Sequence, residues 1–214
     1  MTMLEDEARR ALVAAGARLG ARGLVVATEG NLSVRLDTGI LITPSGRRKD
    51  ALVPGDPILV AFEPEIDAGV PGLSARLAGP RPSSDLAIHR AIYRARPDVA
   101  AIVHAHLAAA MALTLVGEQP DPDALPETAL FLRRLPFVPY ADPGSDLLAA
   151  RIAGALTDAD TPGDYPNAAL LERHGAIAVG PDLTVAGDRL ELADLLCRVH
   201  RDVILLRSAR RNGA

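Results

Sequence analysis

The 214 residues fit one domain, and 49% apolar with 23% charged residues describes a chain that buries a core. A net charge of −4, with only a short arginine cluster at the end (Arg207, Arg210, Arg211), argues against a nucleic-acid binder. Aromatic residues make up 3% and tryptophan is absent, so Ala, Leu, Val and Ile have to build that core. The first predicted element is a helix over residues 4–21, with apolar positions at helical spacing and a stop near Gly23. This amphipathic start lacks the apolar core of a signal peptide, and no later stretch is long and apolar enough to span a membrane. A soluble cytoplasmic protein is expected.

Residues 25–36 (VVATEGNLSVRL) read as strand, turn, strand, with Gly30-Asn31 as the turn. ILITP (40–44) is a strand stopped at Pro44-Ser45-Gly46, and ILVAFE (58–63) is a further short strand. Residues 64–82 are rich in Gly and Pro and read as a loop with room for one strand. SSDLAIHRAIYRARP reads as a helix capped by Ser83 or Ser84 and ended by Pro97. VAAIVHAH (99–106) is a strand, LAAAMALTL a helix, and 117–126 a polar loop. LPFVPY is strand-like, and GSDLLAARIAGAL is a helix capped by Ser145. AALLERHG and AIAVG are strands, and 185–210 is a long last helix. Nothing divides residues 1–214, so the reading is α/β: one domain with a mainly antiparallel sheet and helices packed on it. Cys197 sits in an apolar helical pattern and reads as a small buried hydrophobe.

Chemistry concentrates on three of the five histidines. His104 and His106 are spaced i, i+2 in a strand-like run, which puts both on one face. His174 lies at the end of another predicted strand and is followed by glycine. Three imidazoles with an open fourth position suit Zn²⁺ best, with other divalent transition metals as alternatives. Asp85 adds a carboxylate near a helix start. His89 and His200 fall in helical patterns and read as packing or surface residues, although His89 is one turn from Asp85. A second group is small and polar: Thr28, Gly30 and Asn31; Ser45 and Gly46; Ser83 and Ser84. Each set falls at a turn, where backbone N–H groups and hydroxyls are available to an anion. Taken singly, each set is also what ordinary turns and caps look like. Convergence of the three would make a phosphate cradle.

TEGNLSVRL, GILITPSG, PSSDLAIHRAIY, AIVHAH and LLERHGAIAVG, in that order and spacing, resemble the class II aldolase/adducin family over roughly residues 5–205. The resemblance is greatest to its L-fuculose-1-phosphate aldolase branch. It implies a three-layer α/β/α domain, usually a homotetramer with active sites between subunits, and zinc on His104, His106 and His174. It also implies phosphate binding by Thr28, Gly30, Asn31, Ser45, Gly46, Ser83 and Ser84. Asp85 stands where those aldolases carry Glu, one methylene longer by about 1.5 Å, and would serve as acid/base. The two tyrosines that the aldolase uses, one in the loop after the H-x-H helix and one in the C-terminal tail, have no counterpart here. Glu127 lies in the former region and is the carboxylate available to supply a proton in place of a tyrosine; it reads equally as a first-turn helix carboxylate.

The implied reaction is retro-aldol cleavage of a ketose 1-phosphate to dihydroxyacetone phosphate and an aldehyde. A 5-methylthioribulose-1-phosphate dehydratase on the same fold is the nearest alternative, and a pentulose 5-phosphate epimerase a weaker one. A non-catalytic, adducin-like interaction module is the alternative of another class.

Overall fold

The computed structural model describes residues 3–63, 80–161 and 163–212. Helix α1 (Glu5–Ala21) carries Ala8, Leu12, Gly16 and Leu19 on its buried face, with Glu5, Asp6 and Glu7 in the first turn, where negative charge suits the helix dipole. It ends in paired bonds from Gly23 N–H to the Gly20 carbonyl and Leu24 N–H to the Leu19 carbonyl, which satisfy carbonyls left over in the last turn.

Seven strands follow: β1 (Asn31–Leu36), β2 (Gly39–Ile42), β3 (Ile58–Val60), β4 (Ala101–Ala105), β5 (Phe137–Val138), β6 (Ala168–Leu171) and β7 (Gly175–Gly180). They form one sheet in the order β3-β2-β1-β4-β7-β6-β5. Every neighbouring pair is antiparallel except β5 with β6. That parallel pair needs a crossover, which helix α5 (Asp146–Ala155) supplies. Ser145 caps α5 as expected, accepting from the Leu148 N–H at 3.2 Å.

Alternate strand residues feed two cores. Leu32, Val34, Val103 and Ala178 face α1, α3 (Ala108–Leu115) and α6 (Leu183–Asn212). Ile40, Ile42, Ile102, Ile177 and Val179 face α2 (Leu86–Ala95) and α5. The result is three layers, helices on both faces of a mostly antiparallel sheet. Cys197 is fully buried in the first core, and burial pushes its thiol up to about 12. No helix among the described residues is long and apolar enough to cross a membrane.

The structure departs from the sequence reading at several boundaries. Residues 25–29 hold no strand, and Asn31 opens β1 instead of closing a turn. Neither Ser83 nor Ser84 caps α2; Asp85 occupies that position and makes no side-chain cap bond. A short helix α4 (Pro126–Phe131) begins at the end of the predicted loop and puts Glu127 in its first turn, and β5 keeps only two residues of LPFVPY. Strand pairing, not local preference, sets these strand ends. The arginine-rich end continues α6 as helix to Asn212. The loop expected over 64–82 lies outside the described residues up to position 79; beyond it, Pro82 bridges to Pro44.

Candidate metal centre and the turns around it

The hydrogen-bond register places His104 in β4 directly between Asn31 of β1 and Ile177 of β7. His106 lies just past the strand, which ends at Ala105. The shared face expected from strand alternation therefore rests on one strand residue and one loop residue. His174 closes the three-residue turn between β6 and β7, where Arg173 takes the left-handed conformation with φ 60. Gly175 lets the next strand lie against the histidine pair. Its φ is +111, and a Cβ there would stand 2.2 Å from the Ala105 carbonyl oxygen and 2.7 Å from the His106 Cα.

The three imidazoles form a near-equilateral triangle, with ring centroids 4.7, 4.8 and 5.1 Å apart. One nitrogen from each lies within 4.8 Å of the others. His104 Nδ1 is 2.9 Å from the Ala176 carbonyl oxygen, so Nδ1 carries the hydrogen and Nε2 keeps its lone pair. His104 Nε2 and His174 Nδ1 are buried with no hydrogen-bond partner, as is Asp85 Oδ1. Buried polar atoms are rarely left so. A divalent cation bound about 2.0–2.1 Å from imidazole nitrogens satisfies both lone pairs. The donor set therefore fits a metal of the zinc type.

Electrostatics favour the neutral, ligating form. Burial, with His174 and His106 beside it, pushes His104 down to about 3, and burial lowers His174. His89 is likewise pushed down by burial, to about 4. In an unfolded chain these groups titrate near 6.5, so as pH falls the unfolded state binds their protons first. The stability they contribute is complete above about pH 6.5 and declines toward the folded values, by up to about 1.4 kcal/mol per pH unit for each group. The urea midpoint of metal-free protein is thus expected to be flat above about pH 7 and to fall steadily below about 6.5. A midpoint constant down to about pH 4 would show that these histidines are not buried neutral.

Asp85 sits at the head of α2, buried, with Oδ2 3.9 Å from His104 Nε2. Asn31 Nδ2 donates to that same oxygen at 2.8 Å. Burial pulls the Asp85 carboxyl up, but His104, the Asn31 hydrogen bond, His174 and His89 together hold it below the usual carboxylate range. At neutral pH His104 is uncharged, and the Asn31 bond is the contact that remains.

The polar turns come together. Ser45 N–H donates to the Arg81 carbonyl and Ser83 N–H to the Thr43 carbonyl, joining the turn after β2 to the segment before α2. Ser83 Oγ accepts from the Asp85 N–H at 3.3 Å. Gly30, with φ +69, packs where a Cβ would stand 2.6 Å from the His104 carbonyl oxygen. Lys49 closes the set: its ammonium donates to the Thr28 carbonyl at 2.6 Å and to the Arg47 carbonyl at 2.8 Å. Thr28, Ser45, Gly46 and Ser84 remain exposed around this framework. Lys49 escaped the sequence reading, although it is the chain's sole lysine and follows directly on the Ser45-Gly46 turn.

Glu127 is not brought to the triad. It lies exposed in the first turn of α4, and none of the polar contacts found joins it to the histidines or to Asp85. His200 is a surface residue 3.4 Å from Glu118. His89 is fully buried and polar-bonded, which a packing reading does not anticipate: its ring nitrogens meet Ser33 and Asn31.

A family model described as Class II Aldolase and Adducin N-terminal domain matches residues 10–201. A 3-oxo-tetronate 4-phosphate decarboxylase of Cupriavidus necator is 34% identical, over 87% of this chain and 80% of its own. A methylthioribulose-1-phosphate dehydratase of Acidiphilium cryptum is 37% identical, over 87% and 86%. The crystal structure of L-fuculose-1-phosphate aldolase from Thermus thermophilus superposes with a TM-score of 0.77 at 30% identity, covering 94% of this chain and 96% of that one. The relatives thus divide among three activities at similar identity, and the aldolase branch is not singled out.

Proposed function

The chain belongs to the class II aldolase and adducin family, and from that premise we propose that it is a zinc-dependent carbon–carbon lyase acting on a small phosphorylated sugar. The observation that carries the reading is a cluster of three imidazoles in which His104 Nε2 and His174 Nδ1 are buried and unpaired, beside Asp85, whose Oδ1 is also unpaired, and beside turns laced together by their own hydrogen bonds. An adducin-like module with no chemistry would have no use for such unpaired atoms, each of which costs folding energy.

In this reading the substrate is a ketose 1-phosphate. Its phosphate rests on Thr28, Gly30, Asn31, Ser45, Gly46, Ser83 and Ser84, with the Lys49 ammonium holding two of the turns in place. When bound by His104, His106 and His174, the cation supplies Lewis acidity toward the substrate carbonyl, worth several kcal/mol as negative charge develops there. Cleavage of the C3–C4 bond sends the bonding pair into an enediolate. Asp85, ionised at rest, takes up a proton from water and passes it to carbon to complete dihydroxyacetone phosphate. Glu127 takes the proton that the C4 hydroxyl gives up as it becomes the aldehyde oxygen, and passes it to water. Exposed on α4 beside exposed Leu130 and Phe131, it fits that role from a neighbouring copy, in a homotetramer with sites between subunits.

The isolation of Glu127 favours a second reading. Loss of carbon dioxide from a 3-oxo sugar-acid phosphate leaves the same kind of enediolate and needs no proton exchange at a leaving aldehyde. A panel of ketose 1-phosphates, 3-oxo-tetronate 4-phosphate and 5-methylthioribulose 1-phosphate separates the cases by product. Dihydroxyacetone phosphate with an aldehyde marks the aldolase, and dihydroxyacetone phosphate with carbon dioxide the decarboxylase. A product with its carbon skeleton intact marks the dehydratase and overturns the lyase as drawn, and so does a metal-loaded protein that turns over nothing.

A further inference from the structure

We propose that His89 is a positioning residue: it stands within a one-way chain of hydrogen bonds that holds Asp85 Oδ2, the oxygen 3.9 Å from His104 Nε2, and leaves Oδ1 without a partner. The inference rests on the assignment of Asp85 as the group that moves the proton.

The chain runs through the core between β1 and α2. Asn31 and Ser33 sit two apart on β1 and so share a sheet face, and His89 and Tyr93 sit four apart on α2 and share a helix face. Ser33 Oγ is 2.8 Å from the Tyr93 hydroxyl and 2.6 Å from His89 Nδ1. His89 Nε2 is 2.5 Å from Asn31 Oδ1, and Asn31 Nδ2 is 2.8 Å from Asp85 Oδ2. The surrounding side chains on this face, Ile40, Ile42, Ile88, Ile92 and Ile102, are apolar.

The carboxylate sets the direction. An ionised Asp85 only accepts, so Asn31 turns its N–H₂ toward it and its carbonyl oxygen toward His89. His89 must then carry its hydrogen on Nε2, which leaves a lone pair on Nδ1. Ser33 donates to that lone pair and accepts from the Tyr93 hydroxyl. Each link of the line between the tyrosine and the carboxylate then has one donor and one acceptor. Reversing the line requires a protonated Asp85 and strands the Tyr93 hydroxyl hydrogen. Ser33 is the only hydrogen-bond partner found for that hydroxyl among the described residues, and Tyr93 is 1% exposed. The tyrosine therefore ends the line and polarises it. Burial keeps His89 neutral and the Tyr93 phenol protonated, as this direction requires. Asp85 Oδ2 is thereby committed to Asn31, and Oδ1 is buried without a partner.

The test uses the zinc-loaded full chain. Imidazole ¹⁵N spectra should show His89 neutral with the proton on Nε2 between about pH 6 and 8. His89→Leu should keep its zinc and lower kcat by about 10–10²-fold, with a much smaller change in KM. His89→Gln should recover most of that loss, because its amide can accept from Ser33 and donate to Asn31 in the same order. A purely space-filling role predicts no such rescue. Wild-type kcat in His89→Leu, a His89→Gln variant as slow as His89→Leu, or a proton on Nδ1 would each overturn the proposal. If His89→Leu does not fold, the glutamine variant and the spectrum decide. If the wild-type protein turns over nothing on the substrate panel, the lyase reading has failed, and the spectrum alone still judges the direction of the line.

Discussion

Replacing His104 by alanine is expected to abolish metal binding and turnover together. His104 is the most enclosed of the three histidines, 1% exposed, and its Nδ1–H bond to the Ala176 carbonyl leaves Nε2 free. Removing it takes away one of the three clustered nitrogens and the bond that orients it. Metal affinity should fall by more than the roughly 10–100-fold typical of losing only an orienting partner. Turnover should fall by at least about 10³-fold, since the cation's electrostatic contribution is several kcal/mol. Metal content of the purified chain and rate on the productive substrate measure the two effects. The truncation also opens a buried cavity, so a urea midpoint must show that the variant folds. His174→Ala, at a turn and 8% exposed, repeats the test with less disturbance of the core. Full metal retention in both variants would remove the site as drawn.

Asp85→Asn should leave the metal in place and still lower kcat by about 10²–10⁴-fold, the usual contribution of a positioned acid or base. The amide has the size of the carboxylate and can still accept from Asn31 Nδ2, so the head of α2 and the line of hydrogen bonds behind it have no reason to move. What is lost is the capacity to carry a proton. Zinc content and urea midpoint near wild type, with kcat collapsed, is the expected pattern. Loss of zinc in this variant would instead make Asp85 a ligand. An unchanged rate would take the proton transfer away from Asp85 altogether.

Much of the site is legible in sequence because its signals are local. The i, i+2 histidines follow a run of β-branched and small residues that pairs as a strand, and the Ser145 cap and the glycine after His174 announce their own turns. Other features depend on contacts across the chain. Asn31 and Asp85 are 54 residues apart, and their bond exists only because β1 pairs beside β4 while α2 packs over both. In sequence His89 reads as a packing residue because helical spacing gives its face but not the polar atoms opposite it. Lys49 reads as incidental because its partners are backbone carbonyls, which carry no sequence signature. Glu127 falls in the right stretch of chain for a role at the triad, whereas α4 holds it at the surface.

By itself, then, the sequence carried the resemblance to the family and, through it, the three-layer arrangement, while periodicity, turn residues and ligand spacing, which are properties of neighbours along the chain, marked the α/β elements and the three clustered histidines. The tertiary structure decided which oxygen of Asp85 is free, which turns are joined into one framework and which carboxylate is left outside. Those depend on strand register and helix packing, where a shift of one residue turns a side chain to the other face.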